Sequence, residues 1–371
     1  MKTMGLVFSN IYDSSLAELT AHRTVASLPF GGRYRQIDFV LSNMSNSGIY
    51  NIGVITKYNY RSLMDHLGNC FEWDLNRKNG GLHFIPPFAS GNAGIYGGKL
   101  EALYSAKDFI ADYDYDYVVL SDTVVMCNID YRPAVASHIK SGADITVIAS
   151  PKEKNDNRLH ALVVKADRTG RVKEVKAPAK QEGGALASMG MFIISRKLLL
   201  QYINETFEKG QMHLERDLIL KRFKAGKLTL NAYKFSGTVL RNRDIKTYFE
   251  NSMKLLDPKV SDGLFLSSSP IYTKVRDEIP SYFADGSTVE NCLMADGCTV
   301  YGTAKRSILF RSTQIESGAT VENSIIMQGT RVGKNARISY AILDKDVTVL
   351  DGTVLCGTPD HPVIIQKGAT V

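Results

Sequence analysis

The feature that most restricts the fold is a short repeat in the C-terminal part of the chain. From Thr288 onward a pattern recurs four times, as TVENCLM at 288, TAKRSIL at 303, TVENSII at 320 and RISYAIL at 337. Successive copies start 15, 17 and 17 residues apart, and small turn segments such as ESGAT and LDGTV lie between them. Each copy places a small residue before two large aliphatic ones, at Cys292, Ser307, Ser324 and Ala341. This repeat length is typical of a parallel β-helix, whose coils bury their faces only by stacking.

We therefore predict a β-helix over residues 288–371, with an irregular β-sandwich as the alternative that the pattern leaves open. The preceding stretch, 258–287, lacks periodicity and carries Pro258, Pro270 and Pro280, so it is interpreted as a connector. The flank of a solenoid that stays exposed commonly serves assembly.

Residues 1–257 have a different character, because strand-like runs alternate with helical patterns. LVF after Gly5, VITK after NIG, YVVLSD at 117, ADITVIAS at 143 and MGMFII at 189 predict buried strands. QIDFVLSNMSNSG, KLEALYSAKDFIADY and RKLLLQYINETFEKG have apolar residues at helical spacing. Such alternation favours an α/β domain with a mostly parallel sheet, in which ligands bind outside the carboxyl ends of the strands.

Composition excludes several classes of protein. The net charge is +7, but Lys and Arg are scattered and no nucleic-acid motif accompanies them, so anionic small molecules are the expected partners rather than nucleic acid. No apolar run predicts a membrane span or a signal peptide, and we expect a cytoplasmic protein. The odd number of scattered cysteines predicts thiols rather than disulfides or a zinc site: Cys70, Cys127, Cys292, Cys298 and Cys356.

Several long motifs carry a family resemblance. PFGGRYRQIDFVLSNMSNSG (29–48), WDLNRKNGG (73–81), ASMGMFI (187–193) and the terminal repeat together resemble bacterial ADP-glucose pyrophosphorylase, which is glucose-1-phosphate adenylyltransferase. The resemblance implies a glycosyltransferase-A-like (Rossmann-like) nucleotidyltransferase domain, a left-handed parallel β-helix and a tetramer in glycogen biosynthesis. The implied reaction is attack by glucose 1-phosphate on the α-phosphorus of ATP, for which the family needs a glycine-rich loop, an Arg, a Lys and two aspartates that bind Mg²⁺.

The phosphate loop departs from that requirement. The family pattern GGxGxRL falls on residues 10–16, NIYDSSL, and only Leu16 is kept. The arginine position is Ser15, the lysine position is Val25, and the carboxylate of Asp13 is expected to repel phosphates. The loop therefore predicts that triphosphate binding is lost.

The metal positions depart as well. The first ligand position holds Thr123, although a shift of one residue would place Asp122 there, and the second position holds Arg241, which cannot bind Mg²⁺. Asp244, three residues on, is interpreted as a carboxylate in the first turn of a helix. We expect no catalytic residue to be retained and no metal or other cofactor, with Mg²⁺ required only if Asp122 restores the site.

The sugar side of the family pattern is partly kept. By resemblance, the candidate residues for binding a sugar phosphate are Tyr96, Ser188, Gly190, Arg216 and Asp217. The alternative interpretation is that these positions are kept for shape alone. A clamp for the nucleotide-sugar is missing, because the Glu-Lys-Pro motif of the family is replaced by Ala177, Pro178 and Ala179.

Substitutions thus fall on the reactive positions and spare the packing motifs. This pattern resembles the GlgD-type regulatory subunits of the family, which have little or no activity and join a catalytic subunit in a heterotetramer; a homo-oligomer is the other assembly considered. Three alternatives stay open. One is an active nucleotidyltransferase that uses Asp122, and another is an acyltransferase that uses His361, the single histidine of the repeat region. The third is a sensor of sugar phosphates or other anionic metabolites, whose effector would bind Arg23, Arg33, Arg35 and Lys57.

Overall fold

A computed structural model describes residues 2–10, 13–87, 96–152 and 158–371. The chain forms two compact units. Unit 1 comprises Met1–Ile11, Phe39–Tyr60 and Leu67–Val239, and unit 2 comprises Tyr12–Asp38, Arg61–His66 and Leu240–Val371. The units therefore group the chain differently from the three consecutive segments 1–257, 258–287 and 288–371, because two N-terminal segments belong with the C-terminal part.

The described part of unit 1 is organised around a nine-stranded sheet. Its strands are Thr3–Phe8, Asn51–Ile55, Gly81–Ile85, Tyr117–Asp122, Ile145–Ser150, Val163–Ala166, Val172–Lys176, Leu186–Ser195 and Leu230–Lys234. Shorter strands are Val125–Met126, Leu159–His160 and Ala179–Lys180. A strand is present at every predicted apolar run, although the one predicted at 54–57 covers Asn51–Ile55.

The sheet is mixed rather than mostly parallel. Thr3–Phe8 pairs in parallel with Asn51–Ile55 on one side and Tyr117–Asp122 on the other. The long strand Leu186–Ser195 runs antiparallel to both Tyr117–Asp122 and Ile145–Ser150. The parallel centre nevertheless brings the carboxyl ends of two strands, Phe8 and Asp122, side by side in the register.

Helices occur in many of the segments that connect the strands. The α-helices are Ala17–Thr20, Gln36–Asn46, Arg61–Leu67, Lys99–Ser105, Lys107–Asp112, Tyr131–Ser141, Arg196–Glu208, Lys221–Lys224, Ile245–Lys254 and Pro258–Leu264. Asp13–Leu16, Val25–Ser27 and Phe71–Trp73 are 3₁₀ turns, and Leu214–Leu220 is a π-helix. All helices of the described residues are too short or too polar to cross a lipid bilayer.

Three helix positions differ from the sequence interpretation. The helical pattern after Gly98 breaks into two helices at Ala106. The connector contains the helix Pro258–Leu264, in which Asp257 accepts from the N–H of Lys259 at 3.0 Å and Pro258 occupies the first turn. Asp244, expected in the first turn of a helix, is instead the N-cap residue just before that turn and forms a capping box with Thr247.

The repeat region of unit 2 is a left-handed parallel β-helix made of three five-stranded parallel sheets. The first sheet comprises Tyr282–Phe283, Thr299–Val300, Gln314–Ile315, Arg331–Val332 and Thr348–Val349. The second comprises Thr288–Glu290, Thr303–Lys305, Thr320–Glu322, Arg337–Ser339 and Val354–Cys356. The third comprises Leu293–Met294, Ile308–Leu309, Ile325–Ile326, Ala341–Leu343 and Val363–Ile365. Unit 2 also contains the short strands Pro29–Phe30, Tyr34–Arg35 and Leu240–Arg241.

The small residues of the repeat form a stacked corner. The Ser307 hydroxyl accepts from the N–H of Ser324 at 3.1 Å, and the Ser324 hydroxyl accepts from the N–H of Ala341 at 3.2 Å. The aliphatic residues that follow Ser307, Ser324 and Ala341 are fully buried, including Ile308 and Ile325. Each coil therefore satisfies buried backbone groups of the next coil, which explains the recurrence of small side chains at one position. All five cysteines are thiols, as predicted.

Candidate functional site

In unit 1, the candidate site lies where the two central strands end. Asp122 closes the strand Tyr117–Asp122 and is 2% exposed. Gly190, opposite it, has a φ of +70°, and a Cβ atom built there would lie 2.3 Å from Asp122 Oδ2. The glycine therefore leaves the space that the Asp122 carboxylate occupies.

The Asp122 carboxylate holds an ammonium. Lys99, the first residue of the helix Lys99–Ser105, places its Nζ 2.9 Å from Asp122 Oδ2 and 2.6 Å from Glu215 Oε1. The Lys99 side chain is only 5% exposed. Its Nζ also lies 5.6 Å from the ring centroid of Phe8 and 5.8 Å from that of Phe192, within the range of cation–π attraction.

This arrangement does not fit the magnesium ion that the family resemblance implies. Mg²⁺ needs carboxylate oxygens at about 2.0–2.1 Å and keeps several water molecules. Here the oxygens of Asp122 and Glu215 already coordinate the Lys99 ammonium. Within the described residues, no group of three or more His, Cys, Asp or Glu side chains is arranged to hold a metal ion.

Two other departures from the family pattern in unit 1 carry structural hydrogen bonds. Thr123 is buried and its hydroxyl donates to the Phe8 carbonyl at 3.2 Å. Asn10 accepts from the N–H of Lys57 at 3.0 Å and donates to the Tyr58 carbonyl at 3.2 Å. These hydrogen bonds link the residues that follow one strand to the end of a neighbouring strand or to the loop after it.

The part of the phosphate-loop segment from Asp13 onward belongs to unit 2 and is held by hydrogen bonds to nearby residues of the same segment. Asp13 is buried, and its Oδ1 accepts from the N–H of Val25 at 2.8 Å. The Thr20 hydroxyl donates to the Asp13 carbonyl at 2.7 Å. The expectation that the Asp13 carboxylate faces a phosphate site is corrected, because its charge is directed at a backbone donor. Ser15 is exposed, and Ile11 and Tyr12 lie outside the described residues.

Arg241 is also part of the interior of unit 2. The residue is 6% exposed, and its carbonyl accepts from the Asn251 side chain at 2.9 Å. A buried guanidinium at the position of a metal ligand adds positive charge where the family has a carboxylate.

Unit 2 contains a pocket lined by basic side chains. The basic residues that line it are Arg33, Arg35, His66, Arg276, Arg311 and Lys345. Burial, together with the charges of Arg35 and Arg23, lowers the pKa of Lys345 to about 7. Burial also lowers the pKa of Arg35 to about 10, and that of Arg311, where Arg33 and Arg276 add to the effect. Crowded cations of this kind are stabilised by a bound anion.

Part of the positive charge around this pocket is balanced from within unit 2. Asp38 accepts from the N–H of Arg35 at 2.9 Å and contacts His66 Nε2 at 2.6 Å. Arg35 donates to the Ser62 carbonyl at 2.6 Å. Burial lowers the pKa of His66, so the imidazole adds little charge near neutral pH.

Two residues of the predicted effector set are placed elsewhere. Arg23 is a buried partner of Asp344, with Nη2 at 2.7 Å from Oδ1 and 2.5 Å from Oδ2. Lys57 belongs to unit 1, where its ammonium lies 5.4 Å from the ring centroid of Tyr58. Of the four predicted residues, Arg33 and Arg35 line the basic pocket.

Comparison with known proteins gives the family. A model of the nucleotidyl transferase family matches residues 13–238, and a model of the GlmU-like C-terminal hexapeptide matches residues 281–361. Glycogen biosynthesis protein GlgD of Bacillus subtilis strain 168 is 33% identical over 365 residues, which are 98% of this chain and 96% of that protein. Glucose-1-phosphate adenylyltransferase of Bacillus mycoides strain KBAB4 is 31% identical over 375 residues, covering 99% and 98% of the two chains. The chain belongs to the glucose-1-phosphate adenylyltransferase family.

The positions that match the sugar side of the adenylyltransferase family are engaged in bonds within unit 1. The Tyr96 hydroxyl is buried and donates to the Thr56 carbonyl, and burial raises its pKa. Ser188 Oγ accepts from the N–H of Gly190 at 3.1 Å, at a bulge in its strand. The predicted sugar-phosphate contacts of these three residues stay predictions.

The Arg216–Asp217 pair contributes to the start of the π-helix. Asp217 Oδ2 accepts from the N–H groups of Met212 at 3.3 Å and His213 at 3.0 Å. Burial acts to raise the pKa of Asp217, but hydrogen bonds from Arg216, Lys221 and the backbone outweigh it and hold the pKa well below its usual range. Arg216 and Asp217 thus have a structural function in addition to any role in binding.

Sequence reasoning identified Asp122, Arg33 and Arg35 but missed their neighbours in both sites. Lys99 and Glu215 are 116 positions apart, so no local motif connects them. The pocket residues Arg276, Arg311 and Lys345 are likewise far apart in sequence. The sequence offers one signal for this site: Lys99 lies in GGKLEAL, which directly follows the matched Tyr96.

Proposed function

We propose that this chain is a non-catalytic, regulatory subunit of glucose-1-phosphate adenylyltransferase in glycogen biosynthesis, and that it acts by assembling with a catalytic homologue. The observation that carries the proposal is the Lys99 ammonium held between Asp122 and Glu215. Nucleotidyl transfer depends on cationic groups that face the phosphates. In this chain the nearest aspartate to the first metal position is bound to an internal cation instead.

The substituted loop positions support the same proposal. Asn10 and Asp13 are committed to backbone partners, and Val25 replaces a cation with a fully buried aliphatic side chain. The relatives at similar identity carry the names GlgD and glucose-1-phosphate adenylyltransferase, one for a glycogen biosynthesis protein and the other for the enzyme. A partner that binds the active conformer of a catalytic subunit better than the inactive one increases its population.

The first prediction concerns mixing. We expect this chain alone to form ADP-glucose from ATP and glucose 1-phosphate at a rate roughly 10²-fold or more below that of a catalytic homologue. Adding it to the homologue is expected to change the homologue's apparent substrate or effector affinity by roughly fivefold or more. Pyrophosphate release, measured for each chain and for the mixture, tests both statements. Mixing without any kinetic change would remove the regulatory proposal, and robust turnover by this chain alone, lost in Asp122→Ala, would favour an active enzyme.

We further propose that the basic pocket of unit 2 binds the anionic effector of this subunit, such as a sugar phosphate. Support comes from the five Arg and Lys side chains that line it and from the lowered pKa of Lys345, which burial causes in the first place and the charges of Arg35 and Arg23 reinforce. A dianion placed there offsets the repulsion among these charges and favours the charged form of Lys345. Arg33 and Arg35 of the sequence prediction belong to this site.

The second prediction concerns its pH dependence. Because the pKa of Lys345 is about 7 in the folded protein, the ammonium is charged below that pH and neutral above it. Binding of sulfate, which stays a dianion throughout, should therefore weaken by several-fold to about tenfold between about pH 6 and about pH 8. Calorimetric titration with sulfate measures the affinity at each pH. The same titration at one pH then measures the affinities for fructose 1,6-bisphosphate, phosphate and ADP-glucose.

Lys345→Met should bind sulfate weakly and without this pH dependence, while Lys367→Met is the matched control. Lys367 belongs to the same unit, is about half exposed and lies 4.0 Å from Asp346. An unchanged pH profile in Lys345→Met would contradict the assignment of the pocket.

A further inference from the structure

We propose that Lys99 is a built-in substitute for a divalent cation: its ammonium fills the position between Asp122 and Glu215 and thereby closes this pocket of unit 1 to metal ions. The inference goes beyond the regulatory proposal, because it concerns metal binding by this chain alone. It would hold or fail independently of the mixing result.

The geometry of the pocket is that of a cation site. Oxygens from two carboxylates, Asp122 Oδ2 and Glu215 Oε1, converge on one point at 2.9 and 2.6 Å, and Lys99 Nζ occupies that point. The three side chains are 3%, 13% and 5% exposed, respectively. Two buried carboxylates this close together require positive charge, and the lysine supplies it within the chain.

The surroundings favour an ammonium over a hydrated metal ion. The rings of Phe8 and Phe192 flank Lys99 Nζ at 5.6 and 5.8 Å. Aromatic faces attract a cation but offer no oxygen ligand, so a metal ion at this position would depend on Asp122 and Glu215 for its protein ligands. The pocket therefore holds a monovalent cation that is covalently fixed and cannot exchange.

Two glycines, Gly190 and Gly98, allow the close packing around Asp122 and Lys99. A Cβ atom at Gly190 would lie 2.3 Å from Asp122 Oδ2, and one at Gly98 would lie 2.2 Å from the Met212 carbonyl oxygen. The N–H of Leu100 also donates to the Met212 carbonyl at 3.0 Å. The backbone on both sides of Lys99 is thus held close to the segment that leads to Glu215.

The inference predicts that removal of the ammonium exposes a latent metal site. Lys99→Met keeps most of the side-chain length and removes the charge, so Asp122 and Glu215 should then bind one Mn²⁺ about tenfold or more tightly than the unaltered protein does. Electron paramagnetic resonance of the Mn²⁺ that stays in solution counts the bound ions. Thermal unfolding with and without Mn²⁺ provides a second readout.

The ligands are checked by Asp122→Asn and Glu215→Gln, each combined with Lys99→Met, and both should abolish the added binding. Lys107→Met, on the next helix, is the matched control and should behave like the unaltered protein. The proposal would be overturned if the unaltered protein bound Mn²⁺ as tightly as Lys99→Met does and lost that binding in Asp122→Asn. It would also be overturned if Lys99→Met folded but bound no Mn²⁺.

Lys99→Gln provides a second variant, because its amide can donate to one carboxylate without adding charge. Both variants are purified with Mn²⁺ present, which should restore the fold if the cation alone is missing. Failure of both variants to fold in Mn²⁺ would also contradict the proposal, since a divalent ion would then be unable to replace the ammonium.

Discussion

Asp344→Asn is expected to lower the free energy of unfolding by about 3–5 kcal/mol, because it breaks a buried ion pair and leaves one charge without compensation. Arg23 and Asp344 are 4% and 3% exposed, and Arg23 Nη2 contacts both carboxylate oxygens. Asp344 Oδ1 also accepts from the N–H of Lys345 at 2.7 Å. The remaining guanidinium would be buried beside a pocket that is already positive. Urea denaturation measures the loss.

Two further variants separate the ion pair from other causes. Asp346→Asn removes an exposed carboxylate only two residues away, 4.0 Å from Lys367, and should cost less than about 1 kcal/mol. Arg23→Met combined with Asp344→Leu removes both charges and should recover much of the stability. Similar losses in Asp344→Asn and Asp346→Asn would show that burial of the pair is unimportant.

Gly190→Ala is expected to destabilise unit 1 by about 3 kcal/mol or more, because the new methyl group displaces the Asp122 carboxylate from Lys99. The φ of Gly190 is +70°, and the added Cβ would lie 2.3 Å from Asp122 Oδ2. Two costs therefore combine, the backbone strain of a left-handed residue and the loss of a buried charge contact. Chemical denaturation followed by fluorescence measures the change.

Gly142→Ala is the matched control. Gly142 has a similar φ of +61° at the end of the helix Tyr131–Ser141, but nothing lies within 4 Å of a Cβ built there. The control should cost only about 1 kcal/mol of backbone strain. Equal losses at the two glycines would mean that contact with Asp122 adds nothing to the cost at Gly190.

The β-helix could be predicted because its signal is repeated. Each copy places a small residue and an aliphatic pair at the same positions, and Ser307, Ser324 and Ala341 meet in one hydrogen-bonded corner. Single strands were also located correctly, since buried strands are apolar. Their direction was not, because an apolar run such as MGMFII has the same composition in parallel and antiparallel pairing. The strand Leu186–Ser195 is the case in point.

The start of the helix in the connector has a recognisable sequence signal, although the prolines of this stretch favour an irregular segment. Asp257 followed by Pro258 is a favoured helix start, with a capping carboxylate and a proline in the first turn. The later prolines, Pro270 and Pro280, lie outside the helix. Pro258 therefore starts a helix, whereas Pro270 and Pro280 lie in the irregular stretch that follows it.

Residue-by-residue matching with the family singled out Asp122, as a candidate for restoring the metal site, and Asp13, as a departure from the family pattern. It could not supply their partners, because Lys99 is 23 positions from Asp122 and Val25 is 12 positions from Asp13. A lysine at a helix start ordinarily extends into solvent, and only the fold shows that this one is buried.

The hydrogen bond from Val25 to Asp13 has an entropic consequence. A glycine-rich loop retains many backbone conformations until a ligand selects one, so ligand binding must offset the loss of that freedom. In this chain the segment from Asp13 to Ser27 is fixed when the protein folds by the Asp13 carboxylate, by the hydrogen bond of the Thr20 hydroxyl to the Asp13 carbonyl and by the Thr24 cap. Any molecule or subunit that docks on this segment meets a surface that is already ordered, and association there has little conformational entropy left to lose.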